Sequence, residues 1–358
     1  MSATDLGGIA ISEALSRAGV PPEDVDYVYM GQVLQAGAGQ ITARRAAVNA
    51  GIPMSVPATT INKVCLSGLN TIYLADQMIA AGEADVVVAG GARAGYRAGD
   101  KSVVDSMMYD GLFCAFDACA MGAGTEKYAA SAGLERDAQD ALSAESHARA
   151  AAAQKAGRLA DEIVPVPVPQ RRGEPVVVEH DEGIRPGTTA ESLGALRPAF
   201  DAAGNITAGN ASQISDGGSA LIIMSEAAVE KYGVKPLGQV VGYGQVAGPD
   251  TSLLTQPSRS IMVAAERAGV DVADIGLYEL NEAFAAVALA SMTDLGVSDD
   301  IVNVNGGAIA LGHPIGASGN RLALSLLMQM QRDDVELGAA ALCGGGGQGD
   351  ALLVRRVS

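Results

Sequence analysis

One arrangement of small residues, helix, apolar strand and glycine pair occurs twice in the 358 residues of this chain. In the first copy, Ser67-Gly68 begins a helical pattern that is followed by an apolar strand and by Gly90-Gly91. In the second copy, Ser318-Gly319 occupies the same place and Gly344-Gly345 ends the strand. A duplicated unit of this kind predicts two similar βα halves, with equivalent residues at comparable edges of their sheets.

Segments with strand and helix periodicity also alternate through the rest of the chain, except in one region. Such alternation predicts parallel strands covered on both faces of a sheet. Residues 92–206 interrupt it with long helical segments and a proline-rich stretch at 164–175. We therefore predict an α/β protein with an N-terminal half at 1–91 and 207–232, an inserted loop or lid domain at 92–206, and a C-terminal half at 233–358.

The charge balance excludes some classes of partner. The chain has 24 Lys and Arg against 41 Asp and Glu, a net charge of −17. This balance argues against nucleic acid as a partner, and it means that an anionic ligand needs local cations. No apolar run is long enough to span a membrane and no segment resembles a signal peptide, so we expect no membrane partner and a cytoplasmic location.

The four cysteines show no disulfide framework. Cys114 and Cys119 lie close in sequence, but they lack the second pair of ligands that a zinc site requires. We expect no metal site and interpret these two cysteines as core or lid residues.

A loop near the C-terminus contains His313, one of only three histidines, among glycines and directly before Pro314. Glycine allows close approach of backbone to a ligand, and proline fixes the turn. Because imidazole titrates near neutrality, a histidine held on such a loop suits a general acid or base. An ordinary loop histidine would have the same spacing.

Two cysteines have settings that match this loop. Cys65 follows the strand-like segment 58–64 and opens a helix, and Cys343 follows the apolar run 339–342. Ligand sites of α/β sheets gather at strand ends, and the positive end of a helix favours a thiolate. A single cysteine is usually a small buried hydrophobe. Two strand-end cysteines and a loop histidine instead favour one shared reactive site.

The glycine tract after Cys343 satisfies the spacing G-x-G-x-x-G through Gly344, Gly346 and Gly349. A dinucleotide site also needs a following helix and an acidic residue about 20 positions on. Residues 350–354 have the pattern of a strand and no such acidic residue follows, so we reject NAD binding. The tract is better suited to bringing backbone N–H groups to an oxyanion.

The sequence resembles the thiolase family of acyl-CoA C-acyltransferases over nearly its whole length. Six motifs in the family's order carry the resemblance: Asn62-Lys63-Val64-Cys65-Leu66-Ser67-Gly68, Asp181-Glu182-Gly183-Ile184-Arg185, Thr207-Ala208-Gly209-Asn210-Ala211-Ser212, Asn281-Glu282-Ala283-Phe284, Gly312-His313-Pro314-Ile315-Gly316-Ala317-Ser318-Gly319 and Leu342-Cys343-Gly344-Gly345-Gly346. The resemblance implies a thiolase-like α/β fold, with two βα halves whose mixed, five-stranded sheets stack together.

The implied activity is that of an acetyl-CoA C-acetyltransferase, which condenses two acetyl-CoA reversibly through an acyl-cysteine. The resemblance makes Cys65 the nucleophile, His313 its base and Cys343 the base that deprotonates the second acetyl-CoA. Asn281 would hold a water at the enolate oxygen, and the N–H groups of Cys65 and Gly345 would bind the other oxyanion.

The same resemblance implies a set of residues that contact CoA or line the pantetheine tunnel: Arg185, Ser192, Ala208, Ser212, Met121, Leu112, Ala283 and Phe284. For the four that match the lining of the pantetheine tunnel, ordinary packing is the alternative explanation, above all for Ala208; the other three are Ser212, Phe284 and Met121. CoA thioesters are then substrates, and no separate cofactor is implied. Relatives pair the strand matching 58–64 across a two-fold axis, so we expect a homodimer or homotetramer.

The chain departs from the family's pattern in three places. Ala120 stands where many biosynthetic members have a histidine, and the loop after Gly91 is about a dozen residues shorter than usual. No strand precedes the helix that starts near Asp5. We therefore expect the first sheet to lack a central or near-central strand, which would expose Leu6, Ile9 and Leu15 and lower stability and activity.

Three alternatives remain beside this interpretation. A decarboxylating ketoacyl synthase pairs one cysteine with two histidines, so Cys343 argues against it. A non-catalytic acyl-CoA- or lipid-binding protein of thiolase fold is favoured by the short loop but opposed by the presence of Cys65, His313 and Cys343 together. A 3-ketoacyl-CoA thiolase for longer chains stays open, because chain length and reaction direction cannot be read from these motifs.

Overall fold

Strands and helices alternate along the chain in a computed structural model, which describes residues 1–93 and 105–357. The strands are β1 (Tyr27–Gly31), β2 (Ala58–Ile61), β3 (Val86–Arg93), β4 (Phe113–Cys114), β5 (Cys119–Ala120), β6 (Val166–Val168), β7 (Val176–Val178), β8 (Gly217–Met224), β9 (Gly238–Ala247), β10 (Leu277–Leu280), β11 (Leu337–Gly344) and β12 (Gln348–Arg356). The helices are α1 (Ala3–Ala18), α2 (Thr42–Asn49), α3 (Ser67–Ala80), α4 (Met121–Ser131), α5 (Arg136–Lys155), α6 (Ala190–Gly194), α7 (Glu226–Tyr232), α8 (Gln256–Ala268), α9 (Ala285–Leu295), α10 (Ala308–Leu311) and α11 (Ser318–Asp333).

The two large sheets repeat one topology. The first has the order β2-β1-β3-β8 and the second the order β10-β11-β12-β9. In the first sheet β3 is parallel to β1 and antiparallel to β8, and in the second β11 is parallel to β10 and antiparallel to β12. The predicted duplication of two α/β halves is therefore confirmed in the pairing of the strands.

Within the described residues each of these sheets has four strands, and the expected number of five is not reached. In the second sheet, the position that β2 occupies in the first is reduced to a single parallel bridge between Tyr278 and Val302. In the first sheet, no strand within the described residues lies outside β8, where the second sheet has β9 outside β12.

The expectation that the first sheet lacks a strand near its centre is also wrong. The strand of the second sheet that has no counterpart in the first is β9, and β9 is an edge strand. The central strands β1 and β3 are fully paired, and α1 packs against both β3 and β8. Leu15 is consequently buried rather than exposed, while Leu6 and Ile9 are half-buried. The shortened loop expected after Gly91 lies mostly in residues 94–104, outside the described residues.

A layer of two helices joins the halves. Helix α3 follows the nucleophile candidate in the first half, α11 follows the histidine loop in the second, and the two helices pack against each other between the sheets. Their apolar side chains share one core: Leu66, Leu69, Ile72, Leu322, Leu326 and Met330. Helices α1 and α2 cover the outer face of the first sheet, and α8 packs on the second, as expected for sheets buried on both faces.

Glycines allow the histidine loop to touch the first half through its backbone. A Cβ atom on Gly68 would lie 3.0 Å from the Gly316 carbonyl oxygen and 3.1 Å from that of Ala317. Gly31 would meet the same Gly316 oxygen at 2.5 Å, and Gly91 would clash with it directly. The distance between Cys65 and the His313 loop therefore depends on these residues having no side chain.

We predict that Gly68→Ala lowers the free energy of unfolding by about 1–3 kcal/mol, because the added methyl group meets backbone that cannot move aside. Gly194→Ala is the matched control, since Gly194 is also helical but has open space around its Cβ position. Alanine's higher helix propensity should make that variant neutral or slightly more stable. Urea unfolding of both variants measures the effect, and equal stability of the two would contradict the argument.

Candidate active site

Cys65 lies on a strained turn between β2 and α3, two residues before the helix starts at Ser67. Val64, just before it, has φ +49°, a conformation that β-branched residues rarely adopt. Its N–H donates to Asn62 Oδ1 at 3.1 Å, and its carbonyl accepts from Ser67 Oγ at 2.6 Å. Ser67 Oγ also accepts the Lys63 N–H at 2.9 Å. These hydrogen bonds hold in place the turn that carries Cys65.

The surroundings of Cys65 favour its protonated thiol over the thiolate. Desolvation raises its pKa to about 12, although the N–H groups of Cys65 and Gly345, which are hydrogen-bonded to the sulfur, lower it part of the way. The sequence-based expectation of a thiolate favoured by the helix is therefore wrong for this conformation, because lost hydration outweighs the favourable dipoles. Cys65 needs a base to become a nucleophile.

His313 supplies an unprotonated nitrogen in the same region. Its Nδ1 lies 2.6 Å from Ser318 Oγ, and that hydroxyl donates to the Pro314 carbonyl, so Nδ1–H donates to Ser318. The other nitrogen, Nε2, then carries a lone pair and faces Asn281 Nδ2 at 3.4 Å. Burial lowers the pKa of His313 to about 3, with the cations of Arg321 and Arg93 acting in the same direction. The imidazole is neutral at physiological pH and can accept a proton at Nε2.

Asn281 follows β10 and is fully buried beside His313. Its N–H donates to the Ala341 carbonyl of the neighbouring strand at 3.0 Å, which fixes its backbone next to Cys343. Within the part of the chain that the structure describes, Asn281 Oδ1 is enclosed and makes no hydrogen bond. An enclosed acceptor of this kind is costly unless a water or ligand donates to it. Asn281 therefore fits the predicted role of holding a water.

Cys343 is buried near the end of β11 and interacts electrostatically with Cys65. Burial raises the pKa of its thiol well above the ordinary value, and the neighbouring Cys65 raises it further. The expectation that Cys343 is partly thiolate is wrong for this state, for the same reason as at Cys65. Ile315, two residues after His313, packs in one apolar cluster with Cys65, so the two sulfurs and the imidazole share one region.

Several predicted substrate-binding residues surround this region. Ala283, Met121 and Phe284 belong to the apolar cluster that contains Cys343. Leu112 adjoins them, because its carbonyl accepts the Met121 N–H at 2.9 Å. Ser212 adjoins them as well, since its N–H donates to the Ala283 carbonyl at 3.1 Å. An acyl group attached to Cys65 would be next to these apolar walls.

Three other predicted residues lie at the surface: Arg185, Ser192 and Ala208 are exposed. The Arg185 N–H donates to His147 Nδ1 at 3.2 Å, which orients the loop and leaves the guanidinium free to face solvent. Ser192 forms a reciprocal cap with Thr189 at the start of α6. The structure gives local contacts to the Arg185 backbone and the Ser192 side chain, and contact of all three residues with CoA stays a prediction.

Sequence reasoning gave no role to two residues that support His313. Ser318 fixes the tautomer of His313. The sequence could have indicated this role, because a histidine that is held in one orientation needs a hydrogen-bond partner at its second ring nitrogen. Glu282 accepts from Ser146 Oγ at 2.7 Å, Asn303 Nδ2 at 2.9 Å and the Ile309 N–H at 3.0 Å. It thereby holds the segment that leads into the histidine loop.

Residues 1–93 and 105–357 contain neither a cluster of metal-ligating side chains nor a helix that could cross a membrane. No group of three or more histidine, cysteine, aspartate or glutamate side chains is arranged there to hold a metal ion. Among the helices of this part of the chain, none combines the length and the apolar character needed to cross a membrane.

Comparisons with known proteins agree along the chain. The family model described as thiolase, N-terminal domain, matches residues 1–227, and the model described as thiolase, C-terminal domain, matches residues 234–356. The probable acetyl-CoA acetyltransferase of Mycolicibacterium smegmatis is 53% identical over 99% of this chain and 95% of its own length. The acetyl-CoA acetyltransferases of Allochromatium vinosum and Cupriavidus necator are each 48% identical, over 100% and 99% of this chain and 94% and 93% of their own lengths.

Glu279 beneath this site should make stability depend on pH. It is buried in β10 and paired with Arg321 at 3.0 Å, yet burial raises its pKa to about 8. The folded state therefore holds a proton that the unfolded chain releases. The contribution of this proton to the free energy of unfolding is complete below the pKa that Glu279 has in the unfolded chain, and it is lost as pH rises toward 8. We predict a melting temperature that falls between pH 5 and pH 8, and a smaller fall in Glu279→Gln. The same slope in both proteins would contradict this assignment.

Proposed function

Because the chain belongs to the thiolase family, we propose that it is an acetyl-CoA C-acetyltransferase, joining two acetyl-CoA into acetoacetyl-CoA and CoA and catalysing the reverse thiolysis. The single observation that carries the mechanism is the grouping of the half-buried Cys65 with the buried Cys343 and a neutral, buried His313 in one region. One sulfur can hold the acyl group while the other moves the proton, which a single cysteine cannot do.

In the first half-reaction His313 Nε2 takes the proton from Cys65, and the thiolate attacks the carbonyl carbon of acetyl-CoA. The oxyanion of the tetrahedral intermediate accepts hydrogen bonds from the N–H groups of Cys65 and Gly345, which already point at the sulfur. Donors of this kind contribute roughly 2.7–4 kcal/mol each. When the intermediate collapses, Cys343 gives its proton to the departing CoA sulfur. The products are acetyl-Cys65, CoA, a Cys343 thiolate and a protonated His313.

In the second half-reaction the Cys343 thiolate removes a proton from the methyl carbon of another acetyl-CoA. The enolate oxygen accepts from His313 Nε2–H and from a water held by Asn281. The carbanion attacks the acetyl group on Cys65, and collapse of the new intermediate releases acetoacetyl-CoA and the Cys65 thiolate. His313 returns its proton to Cys65, so the enzyme ends in the state in which it began.

The raised pKa of both thiols and the lowered pKa of His313 support a resting site in which all three groups are neutral. Charges in the buried site then appear as opposite pairs, and no side chain has to carry an isolated charge between turnovers. Met121, Leu112 and Phe284 would contact the acyl and pantetheine groups, with Arg185 and Ser192 near the nucleotide of CoA.

We also propose that this reaction uses no cofactor, since the side chains and substrates account for every proton and electron pair above. A homodimer is supported by β2, which is one of the two edge strands of the first sheet within the described residues and offers an edge for pairing across a two-fold axis. Light scattering that detects a clean, active monomer would overturn this. A homotetramer is the alternative assembly, and a role in fatty-acid metabolism and a cytoplasmic location complete the proposal.

We predict that Cys65→Ser and Cys343→Ser fail at different steps. Cys65→Ser should lower turnover by about 1,000-fold or more and take up no acetyl group, because a hydroxyl is a far weaker nucleophile. Cys343→Ser should still gain an acetyl group on Cys65, more slowly, but form no acetoacetyl-CoA. Intact-protein mass after incubation with acetyl-CoA, together with the condensation rate, separates these outcomes.

Cys119→Ser is the control, since Cys119 lies in the β4–β5 hairpin and has no part in the steps above. It should retain both half-reactions. Failure of the wild-type protein to acquire an acetyl group on Cys65 would favour a non-catalytic acyl-CoA-binding protein instead.

A further inference from the structure

A buried ion pair lies beside the site and takes no part in the mechanism above. Lys63 Nζ is 2.8 Å from both carboxylate oxygens of Asp350. The Asp350 side chain is 1% exposed and that of Lys63 is 23% exposed. Lys63 belongs to the first half and Asp350 to β12 of the second, so the pair crosses the boundary between the halves.

The same carboxylate is connected to the other side of the nucleophile. Asp350 Oδ2 accepts the hydroxyl hydrogen of Tyr243, and the Tyr243 oxygen accepts from Asn70 Nδ2 at 3.4 Å. Asn70 lies in the first turns of α3, after Cys65, whereas Lys63 lies before it. The segment that presents Cys65 is therefore held at both of its ends by one residue of the second half.

Asp350 also lies next to the residue that is paired with the second cysteine. In the antiparallel ladder of β11 and β12, Asp350 is directly opposite Leu342, and Gly349 is directly opposite Cys343. A shift of Lys63 relative to Asp350 would thus change the separation of Cys65 and Cys343. Because Val64 holds a strained conformation, its turn needs outside support to remain in place.

We propose that Lys63 and Asp350 are a positioning pair that sets the distance between the two reactive sulfurs. This inference rests on the proposed function. Acetylation of Cys65 needs His313 and two backbone N–H groups, whereas carbon–carbon bond formation also needs Cys343 at the right distance from acetyl-Cys65. Loss of the pair should therefore slow condensation more than acetylation.

The test measures both half-reactions on the same protein: the rate of acetyl transfer to Cys65 by rapid quench and intact mass, and the rate of acetoacetyl-CoA formation. In Asp350→Asn and Lys63→Met we expect condensation to fall relative to acetylation by about 10- to 100-fold, the effect of a displacement near 1 Å. Lys63→Arg keeps the cation and should retain most of the wild-type ratio.

The combination Lys63→Met/Asp350→Asn separates positioning from the burial of an unpaired charge. This double variant has no unpaired charge at either position, and it keeps an amide oxygen that accepts from Tyr243. It should fold, as judged by thermal melting, and should show the same altered ratio of condensation to acetylation. Asp161→Asn is the matched control, because it removes an ion pair of 2.9 Å to Arg332 at an exposed position and should change neither rate.

Equal falls of both rates in the folded double variant, or no fall in either, would overturn the positioning role while leaving the proposed function intact. A wild-type protein that acquires no acetyl group would overturn the proposed function and this inference with it.

Discussion

The close backbone contact between the histidine loop and the first half is the constraint on which the site depends. Gly316 approaches Gly31, Gly68 and Gly91 so closely that a side chain on any of them would separate the halves. Through this contact, a cysteine from the first half shares one region with His313 and with Cys343 of the second. In the proposed mechanism, catalysis therefore takes place at the interface between two duplicated units, and neither half supplies all of the reacting groups.

The duplication explains why these particular loops meet. Helices α3 and α11 occupy equivalent places in the two repeats and pack against each other between the sheets. Cys65 lies just before α3, and His313 lies five residues before α11. The starts of these two helices are in contact, since a Cβ atom on Gly68 would lie 2.9 Å from the Asn320 nitrogen, and this contact brings the two loops together.

Exclusion of water then determines the protonation states. Burial raises the pKa of Cys65 to about 12 and lowers that of His313 to about 3, so the resting site holds neutral groups. Charge arises in the reaction only as thiolate and imidazolium together, close to backbone N–H donors. The strained turn at Val64 and the ion pair between Lys63 and Asp350 keep these groups in place without taking part in proton transfer.

The sequence by itself determined the duplicated α/β architecture and predicted Cys65, His313 and Cys343 as the reactive residues, because strand and helix periodicity and the motifs around these three residues are local signals. It did not determine the edge position of the strand that lacks a counterpart, the neutral state of the thiols or the role of Ser318. Only the tertiary structure decided these, since pairing of strands, loss of hydration and the pairing of Lys63 with Asp350 join residues that are far apart in the chain. Desolvation in particular is a property of everything that surrounds a group, and no spacing of neighbours along the sequence can specify it.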